Sequence, residues 1–429
     1  MKILWLINVP LPEASILLNE KPFPFGSWLI NQSRGLADID DISLHIAFPV
    51  YNIKGYRMLK GNKITYYAFR MLNDNDKESI ESNDYFKKII HEVKPDLVHI
   101  HGTEFVHTLS MVNVCNSMNI DTVISIQGLC SIIEKHMYSN LPINAVYGFT
   151  FRNFFRRDNV AGLKTLYRNR GKNEVEAIKK AKYIIGRTTW DKACISQINP
   201  FVQYYHCNES IRDTFYHHQW DLNNCEKYSL FLSQGQYPIK GLHYVIEAMP
   251  IILKKYKDTK LYIGGKDITN RNGLKNKLLM SYYGKYIYKL IKKHHLEDHV
   301  IFTGVLDEEE MCQRFIKTHV FISPSTIENE SNSLSEAKIL GIPSVASYVG
   351  GVTDRINHYI DGIFYQHDAP YMLAYYVCEI FGNDILANTL SKNARENASK
   401  INDVNINVEK LVNIYHNIIE KREYNELPQ

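Results

Sequence analysis

Two carboxylates, Glu328 and Glu336, stand eight residues apart in the stretch SPSTIENESNSLSEAKILGIPSVAS. The apolar run Val320-Phe321-Ile322 just before it reads as a buried strand. A polar loop follows, then a helix opening near Ser333, then a second strand through Val345. In an open parallel sheet, ligands bind at the carboxyl ends of strands, opposite helix N-termini. This puts Glu328 on the loop and Glu336 in the first helical turn, both facing one crevice. Carboxylates accept hydrogen bonds from hydroxyls, and a helix N-terminus offers N–H groups and a positive dipole end to an anion. The combination suits a ligand that carries both. The same residues also admit a structural reading: Ser333 as N-cap and Glu336 at N3 fit a capping box, and Glu328 fits a solvated loop acid.

A second candidate is SQGQYPIKGL, residues 233–242, which follows a strand and opens a helix. Gly235 permits a tight turn or a close ligand approach. Lys240 is aimed at that helix N-terminus, where a charge-assisted bond to a diphosphate is worth roughly 1.5–3 kcal/mol; a plain surface lysine is the other reading. Neither GxxxxGK[ST] nor GxGxxG occurs, which argues against a P-loop and an ordinary NAD site. In PDLVHIHGTEF, His99 and His101 point the same way on a strand, and His101 lies at its carboxyl end. One of the pair fits a packed core histidine. In PFGSWLINQ, Gly26 precedes a helix, either for close ligand approach or, with Ser27, as a cap.

Residues 149–172 (FTFRNFFRRDNVAGLKTLYRNRGK) are basic and aromatic, suited to an anionic membrane surface or to a solvated helix face. The formal net charge of +4 gives no argument for nucleic acid, and no nucleic-acid module is present. The triplets 38–40 and 74–76, both DxD, read as solvated loop acids. There is no HExxH, no paired Cys/His set and no GxSxG, so neither a metal site nor that type of hydrolase is expected. Seven scattered cysteines, with no CxxC, fit reduced thiols in a cytosol. The opening MKILWLINVPLP reads as a first strand rather than a signal peptide, and no apolar stretch reaches the ~18 residues of a membrane span.

Strand-like and helix-like segments must position these residues. Strands are expected at 3–8, 43–48, 64–69, 97–101, 123–127, 183–186 and about 202–207, with helices at 27–37, 85–93, 108–117 and 175–181. A polar segment, 208–226, reads as a linker. The alternation then restarts, with strands at 229–232, 261–264, 300–304, 320–323, 344–346 and 363–365 and helices at 242–256, 286–295 and 308–318. Helices at 371–381, 385–399 and 404–421 close the chain. The pattern predicts an α/β protein of two doubly wound, Rossmann-like domains: 1–207, a linker at 208–226, 227–400, and a final helical segment 401–429.

Taken together these residues resemble the retaining GT-B-fold glycosyltransferases of family four, glycosyl transferases group 1. The resemblance rests on two glutamates separated by seven residues in a strand-loop-helix that runs on to Gly341-Ile342-Pro343, then VGGVTDRI and Asp361-Gly362. It is looser at PFGSWL, PDLVHIHG, ISIQGL and YIIGRTTWDKA. It implies two domains facing a cleft, the first on the acceptor side and the second binding a nucleoside-diphosphate sugar, with the last helix crossing back to the first domain. His101, Glu328 and Lys240 become catalytic candidates. Glu328 lies against the donor sugar, Lys240 and Gly26 at the diphosphate, Gly304 through Leu306 beside the base, Ser333 and Leu334 at the helix tip, and Glu336 on the ribose. Gln236 stands where the family often has an arginine, Asn329 through Asn332 replace a Gly-x-Gly, Glu330 adds an acid, and Gln127 stands where many relatives have histidine. No cofactor or metal is implied. The implied activity is metal-independent sugar transfer to a glycan or lipid-linked acceptor in capsule or O-antigen-type polysaccharide biosynthesis, in the cytoplasm or at the inner face of the plasma membrane. A sugar-nucleotide epimerase or hydrolase, and a non-catalytic nucleotide-sugar-binding subunit, are the competing readings.

Overall fold

The computed structural model describes residues 1–21, 28–51, 53–71, 80–148, 150, 152 and 159–426. The chain divides into two units: Met1–Ile132 with Tyr167–Ile211 and Asn402–Gln429, and Ile133–Leu166 with Arg212–Ile401. Each is an α/β unit built on a largely parallel sheet, the arrangement of the GT-B fold class.

In the first unit the strands are β1 (Lys2–Leu6), β2 (Ser43–Val50), β3 (Tyr56–Lys60), β4 (Thr65–Arg70), β5 (Leu97–His101), β6 (Thr122–Ser125), β7 (Tyr183–Gly186) and β8 (Gln203–His206). Their order is β3-β4-β2-β1-β5-β6-β7-β8. Alternate side chains of β1 serve opposite faces, as period-two geometry demands. Ile3 and Trp5 join a core with Phe48, Tyr66 and Leu411, whereas Leu4 and Leu6 pack with Phe86, Ile89 and Val112. A sheet buried on both faces needs such continuous apolar strands. The terminal helix Val404–Glu426 packs on helix Trp28–Ala37. Its Tyr415 is fully buried, and the hydroxyl accepts from Trp5 Nε1 at 2.9 Å.

The second unit carries β9 (Glu226–Leu232), β10 (Lys260–Ile263), β11 (Val300–Phe302), β12 (Thr318–Ser323), β13 (Ser344–Ser347) and β14 (Ile363–Tyr365), in the order β11-β10-β9-β12-β13-β14. Every pairing in this sheet is parallel. Helix Glu308–Ile316 opens on a capping box of Asp307 and Glu310, which satisfies two otherwise unpaired N–H groups.

Four expectations change. First, β3 pairs antiparallel with β4, because Gly61–Ile64 is too short for a parallel crossover. Second, the helix expected at 175–181 is the end of a much longer one, Val160–Lys180. Third, the stretch read as a linker is largely built into the second unit. Asp213–His217 forms a 3₁₀ turn, and buried Trp220 donates to Thr318 O at 2.7 Å. Fourth, residues 133–166 cluster with the second unit rather than the first. Ser139 O accepts there from Tyr244 Oη at 3.0 Å and lies 3.0 Å from His243 Nε2. No helix among the described residues is long and apolar enough to cross a membrane.

Candidate functional site

In the second sheet the chain reverses direction at β9, which is flanked by β10 on one side and β12 on the other. The crevice outside the carboxyl ends of β9 and β12 is therefore the topological switch point, where open sheets bind ligands. Lys240 and Glu328 sit on the two loops that leave these strands. Lys240 ends the 3₁₀ turn Pro238–Lys240, and Gly241 follows at φ 73°. A Cβ on Gly241 would overlap the Pro324 carbonyl oxygen, so only glycine lets the two loops lie in contact. Thr326 N donates to Ile239 O at 2.8 Å across the same seam. Lys240 Nζ then reaches both Glu328 oxygens, at 2.8 and 3.1 Å.

Helix Asn332–Leu340 begins one step beyond this loop. Its N-cap is Ser331, whose hydroxyl accepts from Leu334 N, so the Ser333–Glu336 capping box does not form. Glu336 instead takes a fork from Arg212, with Nε to Oε1 and Nη2 to Oε2 each at 2.7 Å. The Arg212 side chain is 15% exposed and that of Glu336 6%. Burial raises the Glu336 pKa; Arg212 pulls it back, and Glu308 adds a like charge. Arg212 stacks on Phe215, 4.5 Å from the ring centre.

The extra acid Glu330 faces Arg355 at 2.8 Å rather than Lys240. Beneath the helix, Lys338 and Asp361 form a buried pair at 3.1 Å, and Asp361 also accepts from Asn357 N at 2.7 Å. Lys338 donates to Arg355 O, so the helix, the Glu330 loop and the turn at Asp361 form one braced assembly.

Gln236 and Gly304 line a pocket of about 740 Å³ with Tyr237, Lys266 and Tyr283. Gly265, at φ 94°, lets its backbone donate to Gly304 O at 2.9 Å while the Gln236 amide lies over it. Leu306 follows β11, half-buried.

In the first unit, His101 ends β5, beside the switch point between β1 and β5. Its ring is buried 4.4 Å from Trp5, and neither ring nitrogen has a hydrogen-bond partner among the described residues. Burial, with help from Arg187, lowers its pKa to about 3. His99 is the packed histidine of the pair, contacting Tyr415 Oη at 2.5 Å and Ser125 Oγ at 2.7 Å. Gln127 donates to Glu209 at 2.6 Å, and Glu209 also pairs with Arg187. Gly26 lies outside the described residues, as do residues 153–158 of the basic stretch and the 74–76 triplet.

The structure thus brings Lys240 and Glu328 into contact and gathers Gln236 and Gly304 in one pocket. Glu336 shares no hydrogen bond with Lys240 or Glu328; its partner is Arg212. Sequence reasoning missed Arg212, Arg355 and the Arg187–Glu209 pair. A Phe three residues after Arg212, and a Trp at 220 in an otherwise polar run, were the available signals. No group of three or more His, Cys, Asp or Glu suited to a metal ion occurs among the described residues.

Residues 213–397 match the family described as Glycosyl transferases group 1, so the second unit carries a glycosyltransferase domain of that group. An uncharacterized glycosyltransferase of Methanocaldococcus jannaschii is 26% identical over 178 residues, which is 41% of this chain and 42% of that protein. The chain thus aligns with about two fifths of that relative's length. Sucrose-phosphate synthase from Thermosynechococcus elongatus superposes with a TM-score of 0.70 at 16% identity, covering 98% of this chain and 99% of that one. HepE of Anabaena, solved in complex with UDP-glucose, gives 0.65 at 14% identity, covering 96% and 99%. These structures share the fold.

Proposed function

We infer that this chain is a retaining glycosyltransferase of family four that moves a sugar from a nucleoside diphosphate to a glycan acceptor. The observation that carries the reading is the Lys240–Glu328 contact at the β9/β12 switch point, within the residues that match the glycosyltransferase family. Glycosyl transfer develops negative charge on the departing diphosphate, and fixed positive groups stabilise it best where water is excluded. Lys240 supplies that charge without a metal, helped by the backbone at Ser333 and Leu334. Gly26 is assigned to the diphosphate, Gln236 to the phosphate-side loop, Gly304 and Leu306 to the base, and Glu336 to the ribose hydroxyls. Glu328, released from Lys240 by the incoming diphosphate, lies against the donor sugar; His101, at the end of β5 in the first unit, is assigned as a hydrogen-bonding group for sugar hydroxyls. Same-face attack retains the anomeric configuration, the leaving phosphate taking the acceptor proton.

The acceptor is assigned as a lipid-linked glycan of a cell-surface polysaccharide, worked on at the inner face of the plasma membrane. The basic aromatic stretch 149–172 supports this. The test is release of nucleoside diphosphate from a panel of sugar nucleotides, with and without lipid-linked acceptors. Release that requires acceptor is expected. Release without acceptor would make the protein a hydrolase or epimerase, and tight nucleotide binding without turnover on any acceptor would make it a binding subunit.

A further inference from the structure

We propose that Arg212 is a positioning residue for nucleotide recognition: its fork fixes the plane of the Glu336 carboxylate and keeps that group a pure acceptor for a pair of vicinal ribose hydroxyls. The inference rests on the reading of Glu336 given above and adds a residue from the segment that joins the two α/β patterns.

The geometry of the pair carries it. A carboxylate offers about four lone-pair sites, and the Arg212 fork occupies one on each oxygen. Two remain, the number that two neighbouring hydroxyls require. The guanidinium is itself immobilised on the buried Phe215 ring. A planar fork on a planar carboxylate sets orientation as well as charge, which a lysine does not reproduce. The other titratable groups facing the pair are Glu308 and Cys312, both from helix Glu308–Ile316. Glu308 repels the Glu336 charge, and burial disfavours it too; Arg212 alone favours it. Without Arg212 only influences that favour the protonated acid remain, and a protonated carboxyl presents a donor to hydroxyls that also donate. Arg212 therefore acts through Glu336 and needs no contact with the nucleotide.

The experiment measures UDP and GDP binding by calorimetry from about pH 6 to about pH 8.5, above the usual carboxylate values and on the side toward which burial moves Glu336. It uses the full-length protein and the variants Arg212→Met, Arg212→Lys, Glu336→Gln and the Arg212→Met/Glu336→Gln double, each checked for a cooperative thermal transition. Arg212→Met is expected to weaken whichever nucleotide the wild type binds by about tenfold at the acid end, since a hydrogen bond to a charged group is at stake. The deficit should shrink as pH rises and Glu336 ionises. Arg212→Lys should recover part of the affinity, and it remains informative if the methionine variant does not fold. The double variant should bind no more weakly than Glu336→Gln, because both changes remove one function. Additive losses, or a deficit that does not vary with pH, overturn the proposal. A wild type that binds nucleotide, beside an Arg212→Met that binds it equally, sinks the role of Arg212 and leaves the donor site standing. A wild type that binds neither nucleotide removes the donor-site reading and this assignment together.

Discussion

Lys240 and Glu328 neutralise each other across the seam between two strand-end loops, the ammonium lying 2.8 and 3.1 Å from the two carboxylate oxygens. The cation assigned to the diphosphate is thus held by the acid assigned to the sugar. A diphosphate must compete with Glu328 for Lys240.

Glu328→Gln should therefore bind nucleoside diphosphate more tightly than the wild type, by roughly threefold to tenfold, since one like charge facing the phosphates is gone. Transfer should fall steeply in the same variant. Calorimetry with UDP and GDP, beside a turnover assay, checks both halves. Weaker nucleotide binding in this variant would contradict the competition.

Gly241→Ala should disturb the site from its backbone. The residue sits at φ 73°, and a side chain would meet the Pro324 carbonyl, a backbone atom with no rotamer to escape into. Left-handed strain alone is worth about 1–3 kcal/mol, and separating the loops adds to it. The expected outcome is a lowered urea midpoint together with weaker nucleotide binding, because the loop that carries Lys240 is pushed away from the Pro324 carbonyl and takes the ammonium out of position. Full stability and unchanged affinity would show that the loops tolerate separation.

Lys338→Met should unfold the second unit more readily. Lys338 and Asp361 are 3% and 2% exposed, so removing the lysine strands a carboxylate in the interior. Breaking such a pair is typically worth about 3–5 kcal/mol. Replacing both residues, Lys338→Met with Asp361→Asn, should recover part of the loss. Denaturant titration of the three variants tests this.

The protein should be labile to mild acid. Burial lowers His101 and His107 to about 3 and His243 and His319 to about 4, and it lowers His99 as well. These bases stay neutral when folded but take up protons once unfolded. Their contribution is present above about pH 6.5 and is lost as pH falls from there toward their folded values, at about 1.4 kcal/mol per histidine per pH unit. Glu104, raised to about 7 chiefly by burial, works in the opposite direction, as do Glu174, Glu247 and Glu336, which burial also raises, but the five histidines outnumber these four acids. Denaturant midpoints between about pH 7 and about pH 5 should drop accordingly, and His243→Gln should flatten the slope.

Much of the fold was legible because its strands are short apolar runs buried on both faces. The runs at Leu97–His101, Tyr183–Gly186 and Ile363–Tyr365 are visible as such. β3 escaped notice because YRMLK is an edge strand with charges and little apolar character, the composition that protects an open edge. The loops bearing Lys240 and Glu328 could be placed at strand ends, but the bond between them joins residues 88 positions apart. Arg212 was harder still. It lies in a polar stretch, and its partner is 124 positions away. Local pattern carries no trace of such a pair, nor of residues 133–166 belonging with the later part of the chain.

The first unit's core incorporates the last long helix: Tyr415 is buried beneath Trp5 and beside His99, with Leu411 and Ile418 in the same cluster. A nascent chain thus holds a nearly complete early sheet with one face uncovered until the helix bearing Tyr415 and Ile418 has been made. Premature termination between the matched residues 213–397 and Tyr415 therefore leaves a sticky, aggregation-prone surface in a chain that already carries the whole matched domain.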